Sequence, residues 1–162
     1  MASIETLGAI RSIEEVRGMK LPFVSPGGRN SGTLGVLQMI RALGDVSSMD
    51  GYKVVTDRHE FHVLIDNGQN CCESWGYLSS EDDLAYFVGS DLLGVNLTDV
   101  ARNQSKVAAS GWYDGDQGGI QFVDFVTSKG VLQLAVYNAH NGYYGHGILV
   151  LRDRDILFDE TL

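Results

Sequence analysis

Residues 120–137, IQFVDFVTSKGVLQLAVY, decide the fold. Two runs rich in β-branched and aromatic residues, Ile120 to Thr127 and Val131 to Tyr137, flank Ser128-Lys129-Gly130. Gly130 can take the positive φ that a tight hairpin turn requires, so the stretch reads as two antiparallel strands. Both runs are apolar on nearly both faces, which places them in the centre of a sheet.

Working outward, Tyr52 to Thr56 and Phe61 to Ile65 form a second hairpin, turning near Arg58 and stopping at Asp66-Asn67-Gly68, a strong turn signal. Leu92 to Leu97, Ile148 to Leu151 and a short edge at Ile156 to Phe158 add further strands. Elsewhere the spacing predicts helices. Ile4, Leu7, Ile10, Ile13 and Val16 recur every third residue, and Val36, Met39, Ile40 and Leu43 precede Gly44. Ser80 and Asp83 resemble a capping box ahead of Leu84, Phe87 and Val88, with Gly89 closing a short acidic helix. Residues 101–119 hold few large aliphatics and read as a long exposed loop. The expected fold is α+β: a single domain, 1–162, whose mainly antiparallel sheet is packed by two or three short helices. Within it, 1–50 form an N-terminal helical extension and 51–152 the core.

Composition supports one soluble domain. Leu, Ile, Val and Phe make up 47 of 162 residues, enough for a core and too many for a disordered chain. No run approaches a membrane span and the N-terminal residues lack a secretory pattern, so the expected location is cytoplasmic, without a membrane partner. The net charge of −9 is uneven: residues 1–60 are balanced, and residues 61–162 carry all of it. Such a surface repels phosphate backbones, which argues against direct nucleic-acid binding. The only cysteines, Cys71 and Cys72, are neighbours and supply no disulfide framework.

Four blocks in order, Cys71-Cys72-Glu73, Phe87-Val88-Gly89, Thr127-Ser128-Lys129-Gly130 and Asn141-Gly142-Tyr143-Tyr144, resemble a widespread domain of unknown function found in bacteriophage and bacterial hypothetical proteins. The resemblance covers roughly residues 50–152. It implies a small α+β module, commonly phage-borne and then resident in the bacterial host cytoplasm, and it carries no activity. The first 50 or so residues exceed the usual start of that family, and His140 and His146 do not belong to its pattern.

The candidate binding residues follow from chemistry. Asn138, Asn141, Tyr143 and Tyr144 lie in a glycine-rich stretch where tyrosines can present flat surfaces with polar tips, and Cys72, Glu73 and Trp75 form a second turn. Arg29, Ser31 and Thr33 in a Gly-rich loop are an anion candidate, although the Gly-Lys-Ser/Thr ending of a nucleotide-binding loop is missing. Cys72, His140 and His146 are of metal-ligating type, and either cysteine with one of these histidines could form a thiol hydrolase pair; the spacing matches no standard motif for either. Asp114 and Asp116 lack the remaining ligands of a calcium loop.

The sequence therefore predicts an accessory protein that binds a host or phage protein, or a small polar ligand, without a cofactor and not by catalysis. A homo-oligomer is compatible with it. The alternatives are an acidic DNA mimic acting through Glu81, Asp82 and Asp83 on a host nucleic-acid-binding protein, and the Cys/His metal or thiol-dependent hydrolase.

Overall fold

The computed structural model describes residues 5–20, 48–114 and 117–162. Its strands are β1 (Ile10–Met19), β2 (Met49–Thr56), β3 (Glu60–Asp66), β4 (Ser74–Ser79), β5 (Leu92–Thr98), β6 (Gln117–Thr127), β7 (Gly130–His140), β8 (Gly147–Arg152) and β9 (Asp155–Thr161). They form two antiparallel sheets, a first in the order β1-β2-β3-β8-β9 and a second in the order β4-β7-β6-β5. The hairpins read from the sequence are β2/β3 and β6/β7, with β6 and β7 paired without interruption from Gln117–His140 to Thr127–Gly130.

The sheets meet through one apolar layer. Tyr52, Val54, Phe61, Val63, Ile148 and Val150 of the first sheet face Val123, Phe125, Leu132, Leu134 and Val136 of the second. This alternation of inward residues along each strand is the expected signature of two packed sheets. The opposite faces are apolar too, which explains why β6 and β7 lack clean alternation. Leu64, Leu149 and Leu151 are buried on the outer side of the first sheet, and Leu78, Phe122, Ala135 and Tyr137 on the outer side of the second. At one corner the sheets join directly: the Leu92 N–H donates to the Gly8 carbonyl and the Ile10 N–H to that of Ser90.

The α+β expectation is therefore corrected to a mostly β structure. Among the described residues the only helical pieces are a 3-10 turn, Leu84–Phe87, and one six-residue helix, α1 (Gln104–Ala109). The first expected helix is strand β1. Register shifts fall between Ile10 and Ser12 and between Val16 and Met19. Each inserted residue turns a spacing of three into a same-face relation, so Ile10 and Ile13 both face the shared core while Val16 and Met19 both face outward. A bulged strand thus carries a periodicity that imitates a helix.

The expected capping box does not form either. Asp83 makes no side-chain cap bond, and the Ser80 hydroxyl instead accepts the Gln133 N–H at 3.0 Å. The presumed loop 101–119 contains α1, capped by Asn103 Oδ1 accepting the Lys106 N–H, and the first residues of β6. The helix expected around Val36 to Leu43 lies outside the described residues.

Candidate functional site

Strand β3 ends at Asp66 and β4 begins at Ser74, and the intervening turn sits at the same end of the molecule as the loop from β7 to β8. The turn is organised around one carboxylate. Glu73 Oε1 accepts the Cys71 N–H at 2.7 Å, the Asn70 N–H at 3.1 Å and the Gln69 amide at 2.7 Å. Gln69 also donates to the Cys71 and Glu73 carbonyls, and its Oε1 accepts the Trp75 indole N–H at 2.7 Å.

On its other side Glu73 Oε2 meets His146 Nε2 at 2.9 Å, with both side chains wholly buried. His146 Nδ1 lies 2.6 Å from the Asp66 carbonyl, which can only accept. Burial pushes the Glu73 carboxyl up, but the N–H groups of Cys71 and Asn70 and the His146 ring together hold it below its ordinary value. With the carboxyl held toward its ionised form, Oε2 is an acceptor facing the ring as Oε1 is toward the turn, and the two side chains satisfy each other out of reach of water. Trp75 stacks on the His146 ring at 5.4 Å between centroids and 22° between planes.

The second loop is tied down by its own groups. His146 and Leu162 exchange backbone hydrogen bonds, and Asn138 Nδ2 donates to the Tyr144 carbonyl at 2.8 Å and the Leu162 carbonyl at 3.0 Å. His140 Nδ1 accepts the Gly142 N–H at 2.9 Å. With the backbone held in this way, Tyr143 stands 85% exposed while Tyr144 is half-buried beside the Cys-Cys turn. The Tyr144 hydroxyl and the Cys72 thiol are both pushed up, in each case chiefly by a hydrogen bond with the Cys71 side chain. Cys71 and Cys72 are exposed and free. A raised thiol is the opposite of what an activated cysteine nucleophile needs.

The structure thus brings together Glu73, Trp75, Tyr144 and Cys72, and links Asn138 to them through the loop backbone. Asn138 is fully buried, so its role is to position the loop; its Oδ1 has no partner. Asn141 and Tyr143 are exposed at the loop's tip. The metal candidates Cys72, His140 and His146 do not converge. Both His146 nitrogens are engaged within the chain, and among the described residues no three His, Cys, Asp or Glu side chains gather in a ligating cluster. Arg29, Ser31, Thr33 and Asp116 lie outside the described residues.

Sequence reasoning missed Gln69 and Leu162. A glutamine in a polar turn and a leucine whose contribution is made by its backbone carry no pattern that could have flagged them. The acidic stretch sits elsewhere, beside an open cleft of about 380 Å³ between β4 and the first sheet. There Asp82 is paired with Lys106, and the Tyr77 hydroxyl donates to Glu15 at 3.1 Å while accepting from Arg17 at 3.1 Å.

A family model described as a domain of unknown function (DUF7448) matches residues 10–150. That span takes in β1, ahead of where the resemblance read from the motifs begins. No curated protein and no solved structure matches the chain. Among the described residues no helix is long and apolar enough to cross a membrane.

Proposed function

The chain belongs to the DUF7448 family, whose description assigns no activity, and from the geometry of its loops we propose that it is a phage-type accessory protein that binds a protein partner through the paired 69–73 turn and 141–145 loop. One observation carries the reading. Tyr143 is the most exposed of the large apolar side chains among the described residues, and it projects from a loop whose backbone is fixed by His140, Asn138 and the buried Glu73–His146 pair. An aromatic side chain held rigidly in solvent binds without the entropic cost of ordering a loose loop, which is the character of an interface anchor.

The test compares the two ends of the molecule. A photoreactive phenylalanine replaces Tyr143 in one variant and Tyr86, an exposed aromatic at the opposite end, in another, and each is irradiated in bacterial host extract. A defined adduct formed only from position 143, with a purified partner that loses about tenfold or more in affinity on Tyr143→Ala and none on Tyr86→Ala, supports the reading. Identical adducts from both positions, or no adduct from 143, overturn it.

A further inference from the structure

Successive residues in a strand point to opposite faces, so a Cys-Cys pair in a strand keeps its thiols apart. Cys71 and Cys72 lie instead in the bend between β3 and β4, where both side chains reach solvent. The bend is held from inside: the Cys71 N–H is fixed on Glu73, the Cys71 carbonyl accepts from Gln69, and Glu73 is anchored on buried His146. Among the described residues the peptide between the cysteines is held through its carbonyl by the Gln69 amide, which has two further acceptors on Glu73, so this peptide can reorient at the cost of that one contact while its flanks stay in place.

We propose that Cys71 and Cys72 form a reversible disulfide with each other, making the β3–β4 turn a thiol switch driven by small-molecule disulfides such as glutathione disulfide. In the first step Cys71 gives up its proton and its sulfur attacks a sulfur of glutathione disulfide, breaking that S–S bond and releasing one glutathione thiolate. The neighbouring cysteine then loses its proton and displaces the second glutathione, so two protein thiols are oxidised, one small disulfide is reduced to two thiols, and the two protons end on the leaving sulfurs.

Neighbouring Cα atoms are about 3.8 Å apart across a trans peptide, closer than the roughly 4.4–6.8 Å that relaxed disulfides span. The closed ring is therefore strained, and strained, exposed disulfides are oxidising and easily reduced again. That is the property of a switch, in contrast to a structural staple. The Cys71 side chain acts on both the Cys72 thiol and the Tyr144 hydroxyl, which supports their closeness and puts the ring beside the 141–145 loop.

The chemistry is tested on the purified full chain, independently of any binding partner. The reduced protein is exposed to excess glutathione disulfide, remaining thiols are alkylated, and intact mass and peptide masses are read. The expected product is a monomer that has lost two hydrogens and both alkylation sites, with dithiothreitol restoring both. Cys71→Ser and Cys72→Ser should each yield a single glutathione adduct and no hydrogen-loss product; both sites are exposed, and circular dichroism checks that each variant folds. Wild-type protein that retains two glutathiones, links to a second chain, or keeps both thiols unreacted overturns the proposal.

Discussion

The two ends of the molecule each carry a histidine–carboxylate contact of nearly the same length, in opposite surroundings. Glu73 and His146 meet at 2.9 Å with neither side chain exposed, whereas His59 and Asp153 meet at 2.8 Å with side chains 29% and 49% exposed. At the exposed end Asp153 also accepts the Glu60 N–H at 2.9 Å, and water can solvate the rest. At the buried end every polar atom of the pair depends on the protein: three turn donors and one ring nitrogen for Glu73, and a carbonyl and a carboxylate for His146. Distance is the same in the two cases, and dependence on the fold is not. The buried pair organises the two loops that carry the candidate site, while the exposed pair closes an ordinary turn.

Removing one partner from each pair gives the largest difference. Glu73→Ala leaves His146 Nε2 and the N–H groups of Asn70 and Cys71 without their partner inside the protein, and breaking a buried pair in this way costs about 3–5 kcal/mol. Asp153→Ala acts on a solvated pair and, with the Glu60 N–H bond and the positive φ of 56° at this position included, should cost about 1–2 kcal/mol. Urea melts of the two variants check this, and equal midpoint shifts would remove burial as the distinction.

The hairpin β6/β7 runs between the two ends and permits a second comparison. Gly118, near the site, has φ +94°, and a Cβ there would lie 2.1 Å from the Asn138 carbonyl oxygen; Gly130, at the far turn, has φ +119° with open space around it. Gly130→Ala should cost on the order of 1 kcal/mol of backbone strain, and Gly118→Ala about 2–3 kcal/mol because the strand must also move away from Asn138. Thermal unfolding reads the order. If Gly130→Ala is the worse of the two, the close packing of β6 on Asn138 is not what restricts position 118.

The same contrast explains what the sequence made legible. The hairpins β2/β3 and β6/β7 were readable because strand-forming residues flank explicit turn signals, and both features are local. Strand β1 was not, because its bulges reset the phase of Ile10, Ile13, Val16 and Met19, and a bulge is set by the partner strand β2. At the site, Glu73, Trp75, Tyr143 and Tyr144 stood out by type. Their union did not, since it depends on Gln69 bridging Glu73 to Trp75 within one turn and on the long-range meeting of Leu162 with Asn138, both made by residues of no distinctive type.

Acid separates the ends more gently. The Glu73 carboxyl is held below its ordinary value of 4.5, with donation from Cys71, His146 and Asn70 outweighing its burial. Asp153 is also held down: burial raises it, and the His59 ring and the Glu60 N–H outweigh that. A carboxyl with a depressed folded value contributes stability that is fully present above its unfolded value and is lost as pH falls through the folded one. Wild-type protein should therefore lose stability as pH drops below about 4.5, the ordinary glutamate value. Glu73→Gln should flatten that slope more than Asp153→Asn, because more of the Glu73 bonds demand the ionised form. Melting temperatures between neutral pH and pH 3 decide it, and an unchanged slope in Glu73→Gln means that the carboxyl is not ionised in the folded protein.

Salt gives the smallest effect and isolates the role of solvent. Mobile ions screen charges that water reaches, with a Debye length of about 10 Å at 0.1 M and about 3 Å at 1 M, and screen a buried pair much less. The small penalty of Asp153→Asn should shrink toward zero between low salt and 1 M sodium chloride, since the wild-type attraction it removes is itself screened. The penalty of Glu73→Gln should persist, because its donors lie where ions do not enter. Parallel urea titrations at the two salt concentrations measure both. A Glu73→Gln penalty that falls with salt as steeply as that of Asp153→Asn would show that solvent ions reach the turn, and the two ends would then differ only in the number of hydrogen bonds.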